Sequence, residues 1–319
     1  MTSRTRHLVD KELLDLLDAS PTVSVTAETL TAFRASRAVA YPCREIAGAA
    51  DVEVSVQYAK GMAGSPDVEF RLYRPSGIDT LAGCVLHIHG GGFVRGAAIT
   101  GDARHRSTVA ALGCVLVSVD YRLAPETRFP GNLEDCYAVL SWIFRHADEL
   151  SIDTRKVGVM GESAGGGLAA CLCLLARDRR EFSLAFQHLM YPMLDDRTCM
   201  DPAPHPFAGE FVWTRQSNVF GWSSLLGETV GTHDVSPYAA AARASDPGGL
   251  PPAFMCVGTL DLFVDEDLDY ARRLALAGIP VECHVYPGAV HGFDYHPTAR
   301  VATAAREVSF RALEAFLER

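Results

Sequence analysis

Hydrophobic positions change period along the chain. Leu13, Leu14, Leu16 and Leu17 recur at helical spacing between acids over residues 8–18, and Ser20-Pro21 ends that segment. Residues 26–40 predict a second amphipathic helix, capped at Thr26 or Thr29 and closed by Tyr41-Pro42. The period then drops to two. Val52, Val54 and Val56 alternate with polar residues, as do Val68, Phe70 and Leu72, with a turn over 61–66 between them. That pattern predicts an antiparallel hairpin at a sheet edge. Beyond it come near-continuous apolar runs at 83–88, 114–119, 156–161, 184–190, 253–258 and 281–287. Helical patterns fall between and after them at 103–112, 132–147, 164–177, 265–277 and 298–317. Unbroken apolar strands are what a parallel sheet covered on both faces requires. The alternation predicts an α/β fold with a doubly wound, mostly parallel sheet of eight strands.

One segment breaks the alternation. Roughly sixty residues separate Tyr191 from Ala253, longer than an ordinary connection at the carboxyl edge of a sheet. The expected organisation is therefore cap helices over 1–45, a catalytic domain over 46–192 and 236–319, and a cap insertion over 193–235. Phe207, Phe211, Trp213 and Trp222 in the insertion are expected to line a substrate pocket.

Composition narrows the function. The 319 residues are 48% hydrophobic, enough for a sizeable core. The net charge of −10 and the lack of a long basic run argue against a nucleic-acid partner. The N-terminus lacks the apolar region of a secretory signal, and no uncharged run reaches the ~18 residues of a membrane span. The nine cysteines are odd in number, show no C-x-x-C, and several, such as Cys84, Cys114, Cys171 and Cys256, sit inside apolar runs. They predict buried, reduced thiols in a cytoplasmic protein, and no metal site.

The chemistry gathers at strand ends. Gly161-Glu162-Ser163-Ala164-Gly165 follows the run Val157–Met160 and opens a helix, the setting of a nucleophile elbow. Gly161 and Gly165 suit a turn too crowded for side chains, and the serine falls at a helix N-terminus, where anionic charge is stabilised. His89-Gly90-Gly91-Gly92-Phe93 follows another strand, where an oxyanion hole belongs. A serine nucleophile needs a base and an orienting acid, each in a loop after a later strand. Asp261 and His291 hold those places. Asp265 and Asp267 begin the next helix and read as caps or first-turn acids. His284 lies within a strand and His233 within the insertion, so His296 is the remaining rival base.

The motifs HGGGF at 89–93, YRLAPE at 121–126, GESAGG at 161–166, D-x-x-x-D-E at 261–266 and HGF at 291–293 together resemble the bacterial hormone-sensitive-lipase-like esterases. The resemblance implies an α/β-hydrolase fold with a helical cap and hydrolysis of carboxylic esters without metal or organic cofactor. It implies Ser163 as nucleophile, Asp261 as acid and His291 as base. The oxyanion hole would use the N–H groups of Gly91, Gly92 and Ala164. Supporting roles would fall to His89, to Asp102 as an acid bracing the glycine loop, and to Glu162 as an acid at the first turn of the helix. The expected substrates are short- to medium-chain esters, of roughly two to eight acyl carbons, or small aromatic or drug-like esters. The same triad would serve an amidase, and a fold of this kind without its base would serve as a ligand receptor. A homodimer through the edge strand at 281–286 is expected. Two departures stand out. Asp261-Leu262-Phe263 replaces the family's Asp-Pro-Leu, and Glu162 replaces its more frequent Asp.

Overall fold

Five of the six apolar runs lie at the centre of one sheet, where both faces are covered, while the sixth, at 281–287, is a half-exposed strand at an edge. The computed structural model describes residues 3–19, 24–36, 41–42, 46–77, 80–200 and 202–318. Eight strands form the sheet: β1 (Glu53–Ala59), β2 (Val68–Arg74), β3 (Ala82–Ile88), β4 (Val115–Val119), β5 (Ile152–Glu162), β6 (Gln187–Met190), β7 (Ala253–Gly258) and β8 (Val281–Tyr286). Their spatial order is β1-β2-β4-β3-β5-β6-β7-β8. β1 and β2 pair antiparallel, as do β2 and β4, and every later pair is parallel. The alternating hairpin thus sits at one edge, and β8 is the other.

Helices α3 (Asp102–Leu112) and α8 (Arg300–Glu318) cover one face, while α4 (Gly131–Arg145), α5 (Ala164–Arg179) and α7 (Val264–Leu276) cover the other. β3 illustrates the division. Cys84, Leu86 and Ile88 join the cluster with α4 and α5, whereas Val85 joins the cluster with α3 and α8. Between β6 and β7 the chain carries α6 (Arg215–Leu226) within long irregular stretches.

The N-terminal helices are shorter than their periodicity predicts. α1 spans Leu14–Ala19, after two turns of 3-10 helix, and α2 spans Leu30–Ala35. Residues 37–40 and 43–45 of the expected second helix and its surroundings lie outside the described residues. Thr26 does not start α2 because its N–H donates to the Thr29 hydroxyl at 2.8 Å, and that hydroxyl in turn donates to the Ser24 carbonyl at 3.1 Å. Short polar side chains of this kind compete with the helical ladder.

These segments reach the insertion. Glu210 accepts the N–H groups of Arg4 and Thr5 at 2.9 and 2.8 Å, and Val25 N–H donates to the Ser217 hydroxyl at 2.9 Å. The Arg34 guanidinium donates to the carbonyls of Val94 and Ala124, at 2.7 and 2.8 Å, and so ties α2 to the loop after β3. No described helix is long and apolar enough to cross a membrane.

Candidate active site

Ser163 occupies the turn between β5 and α5 at φ 55° and ψ −122°, a conformation non-glycine residues hold only under constraint. Its N–H donates to Met190 O at 2.9 Å, and its carbonyl accepts from Met193 N–H at 2.9 Å and Gly167 N–H at 3.0 Å. Gly165 is obligatory here, since a Cβ would drive into the carbonyls of Ile88 and His89. The crowding lifts the Ser163 hydroxyl to the carboxyl edge of the sheet.

His291 and Asp261 arrive from loops after β8 and β7. His291 Nε2 lies 3.0 Å from Ser163 Oγ, and its Nδ1 lies 2.8 Å from Asp261 Oδ2. A carboxylate only accepts, so Nδ1–H donates to Asp261, which leaves Nε2 free to accept the hydroxyl proton. Asp261 is fully buried, and its other oxygen accepts the Phe263 N–H at 3.0 Å. That bond, with Leu262 and Phe263 both buried, holds the acid loop without the family's proline. The rings of Tyr191 and Phe263 meet the imidazole edge to face, with centroids 4.9 and 5.3 Å away.

The glycine loop supplies donors. Among the described residues no acceptor is bonded to the N–H groups of Gly91, Gly92 or Ala164. Gly92 has φ +62°, and the Trp213 indole fills the space a Cβ there would take. His89 stacks on Tyr121 at 4.2 Å, and Tyr121 OH donates to the His89 carbonyl at 2.9 Å. Burial pushes the His89 imidazole down to about 4, so at neutral pH it is uncharged and its Nδ1–H donates to Gly90 O at 3.0 Å.

Several expected partners are placed otherwise. Asp102 does not brace the glycine loop. It begins α3 and accepts from Tyr73 OH at 3.1 Å and Arg106 Nε at 2.9 Å, turned towards β2 by that hydroxyl. The loop is held instead by Tyr121, by Arg34, and by Ala124 N–H donating to Phe93 O at 2.9 Å. Glu162 is not in the first turn of a helix. It ends β5, so its side chain points to the α3 face, where it pairs with Arg104 and lies 3.0 Å from His87 Nε2. Burial opposes its ionisation, but the charges of Arg104 and His87 outweigh that and hold the carboxyl well below the usual range.

Asp267 lies in the first turn of α7, as its position in the sequence predicts. It is buried on α7 with neither oxygen bonded, and burial raises its carboxyl well above the usual range. Glu266 beside it accepts the Leu194 N–H at 2.7 Å. His296 faces Asp15 at 2.8 Å and accepts the Ala299 N–H at 2.8 Å; His284 pairs with Glu282, and His233 with Asp234. None of these three bonds to Ser163.

Of the four insertion aromatics, Trp213 borders the glycine loop. Trp222 is 1% exposed and packed against Phe93, with centroids 5.0 Å apart. Phe211 is buried in the cluster containing Tyr191, and Phe207 is half exposed against His205. Tyr191, Tyr121 and Arg104 escaped the sequence reading. Only Tyr121 carried a signal, its place in YRLAPE. Among the described residues no cluster of His, Cys, Asp or Glu could hold a metal ion.

A family profile described as alpha/beta hydrolase fold matches residues 85–295. Carboxylesterase NlhH of Mycobacterium tuberculosis is 32% identical over 311 residues, covering 96% of this chain and 95% of that protein. Ethyl acetate hydrolase of Pseudomonas putida is 32% identical over 226 residues, 70% of each chain. The solved structure of bacterial heroin esterase is 36% identical, with a TM-score of 0.87, covering 98% of this chain and 99% of that one.

Proposed function

The chain belongs to the α/β-hydrolase family of hormone-sensitive-lipase-like esterases and is a carboxylic ester hydrolase, and from that premise we propose that it cleaves short-chain esters through an acyl-enzyme on Ser163. The reading rests on the hydrogen-bonded line from Ser163 Oγ through His291 to Asp261. Oγ attacks the ester carbonyl as its proton passes to His291 Nε2. The oxyanion accepts the N–H groups of Gly91, Gly92 and Ala164. As the C–O bond breaks, the alcohol leaves with the proton from His291. Water then attacks the acyl-enzyme, gives a proton to His291, and releases the acid while Ser163 is reprotonated. Asp261 holds the imidazole tautomer and stabilises its protonated form. Each oxyanion donor contributes about 3 kcal/mol to such a transition state.

A small acyl group is favoured because Trp213 stands against Gly92, closing the space beside one donor. The name of the Pseudomonas putida relative, an ethyl acetate hydrolase, points the same way. The nine cysteines support a cytoplasmic location. β8 is an outer strand, with Val285 and Leu276 of α7 exposed beside it, which supports a two-fold β8–β8 dimer.

The test is Ser163→Ala, assayed on p-nitrophenyl esters of two to sixteen acyl carbons with matched anilides alongside, using fluorophosphonate labelling as a second readout. Hydrolysis and labelling vanish in a folded variant, and the wild type prefers short esters to anilides. Full activity in the variant refutes the mechanism. Preference for long-chain emulsions or anilides refutes the substrate class.

A further inference from the structure

Tyr191 has no part in the steps above, yet its ring meets the imidazole that takes the proton and its chain neighbours hold the main chain of Ser163. It follows β6 and is 2% exposed, with φ +37°. A tyrosine holds a left-handed backbone only where its surroundings impose it, and such residues gather at functional sites. Its main-chain neighbours hold Ser163: Met190 O accepts the Ser163 N–H, and Met193 N–H donates to the Ser163 carbonyl, each at 2.9 Å. Its ring meets the His291 imidazole at an interplanar angle of 68°. Its hydroxyl donates to Asp294 Oδ1 at 2.7 Å.

Asp294 lies three residues past His291, with no exposed surface. Its Oδ2 accepts the Tyr41 hydroxyl at 2.9 Å, and its carbonyl accepts from Arg306 at 2.6 Å. The bracket continues to the nucleophile, since the Arg104 guanidinium lies 4.5 Å over the Tyr41 ring and pairs with Glu162, the residue before Ser163.

We propose that Tyr191, anchored by Asp294, is a positioning residue that sets the distance and angle of His291 to Ser163. The inference rests on the roles given to those two residues above. A single rigid residue then registers both partners, its main-chain neighbours fixing the serine and its ring fixing the imidazole. Without the hydroxyl, Asp294 Oδ1 loses its donor inside the protein and the ring loses its anchor. The imidazole can then tilt away from the hydroxyl. A misplacement of ~1 Å costs proton-transfer chemistry up to ~100-fold, so the smaller tilt expected here lowers kcat about tenfold.

The experiment compares Tyr191→Phe, Tyr41→Phe and Asp294→Asn with wild type on p-nitrophenyl butyrate. Reacting sites are counted by fluorophosphonate titration, so that kcat is expressed per competent site. Tyr191→Phe lowers kcat per site about tenfold with KM within twofold, and slows labelling in parallel. Tyr41→Phe does the same about threefold. A purely structural role predicts instead a lower Tm and fewer titratable sites at unchanged kcat per site, and that result in Tyr191→Phe overturns the proposal whether or not Asp294→Asn folds. Wild type unlabelled at Ser163 overturns the acyl-enzyme reading and this inference with it. Wild type labelled at Ser163 beside a fully active Tyr191→Phe overturns this inference alone.

Discussion

Gly92→Ala puts the oxyanion loop to a quantitative test. Gly92 has φ +62°, so a side chain there adds backbone strain of roughly 1–2 kcal/mol. Space is the larger obstacle. A Cβ at this position would lie only 2.6 Å from Trp213 Cζ2, and closer still to Cη2. Ordinary carbon contacts begin near 3.5 Å, so the loop or the ring must retreat by about 1 Å. Trp213 is 6% exposed, and its Nε1–H donates to Asn218 Oδ1 at 3.1 Å, which anchors the ring and leaves the loop to move. A shift of that size takes the Gly92 N–H off the oxyanion. Losing one donor costs ~2.7–4 kcal/mol, a 100- to 1,000-fold fall in kcat. The assay is steady-state hydrolysis of p-nitrophenyl acetate. Gly92→Ala lowers kcat at least 100-fold with KM little changed, because the lost bond is made mainly in the transition state. Adding Trp213→Ala to Gly92→Ala frees the space and restores at least tenfold. Activity within fivefold of wild type in Gly92→Ala, or no recovery in the double variant, would refute both the donor assignment and the steric account.

Two further predictions concern buried charge. Glu162→Gln leaves Arg104 inside the protein without its carboxylate, which costs about 3–5 kcal/mol in unfolding by urea. Because folding depresses this carboxyl below its usual 4.5, its contribution is present above that pH and is lost as the pH falls below it, so Glu162→Gln flattens the acid limb of the stability profile. Asp267 has the opposite sign. Its carboxyl is raised by folding from 3.8, so the stability it permits is present below that value and is lost as the pH rises. Asp267→Asn therefore raises Tm more at pH 8 than at pH 4, and equal gains at both pH values would count against a buried ionisable group.

The fold was legible to a large degree. The runs at 83–88 and 253–258 fall within a residue of β3 and β7, because a strand buried on both faces leaves no polar position to confuse the period. Within 26–36, the described part of the stretch 26–40, the pattern misled for the complementary reason. Helical spacing is a local property, whereas α2 is bounded by the Thr26–Thr29 hydrogen bond and by Arg34 reaching across to Val94. At the site, glycines and strand ends mark where Ser163, Asp261 and His291 fall. They do not mark which side chains each neighbouring acid faces. Asp102 and Glu162 are both acids beside motif residues, yet Tyr73 and Arg106 take the first and Arg104 and His87 take the second.

By itself, the sequence determined the layered sheet, the strained turn at Ser163 and the chain order of serine, acid and histidine. Each is written in short-range pattern: period, glycine spacing, and position after a strand. Only the tertiary structure decided that Trp213 packs against Gly92, that Trp222 is packed against Phe93, and that Tyr191 and Asp294 stand behind His291. Those contacts join residues 100 or more apart in the chain, as with Tyr191 and Asp294 at a separation of 103 and Ser163 and His291 at 128. Their geometry depends on how strands stack and where loops land, which no local period encodes.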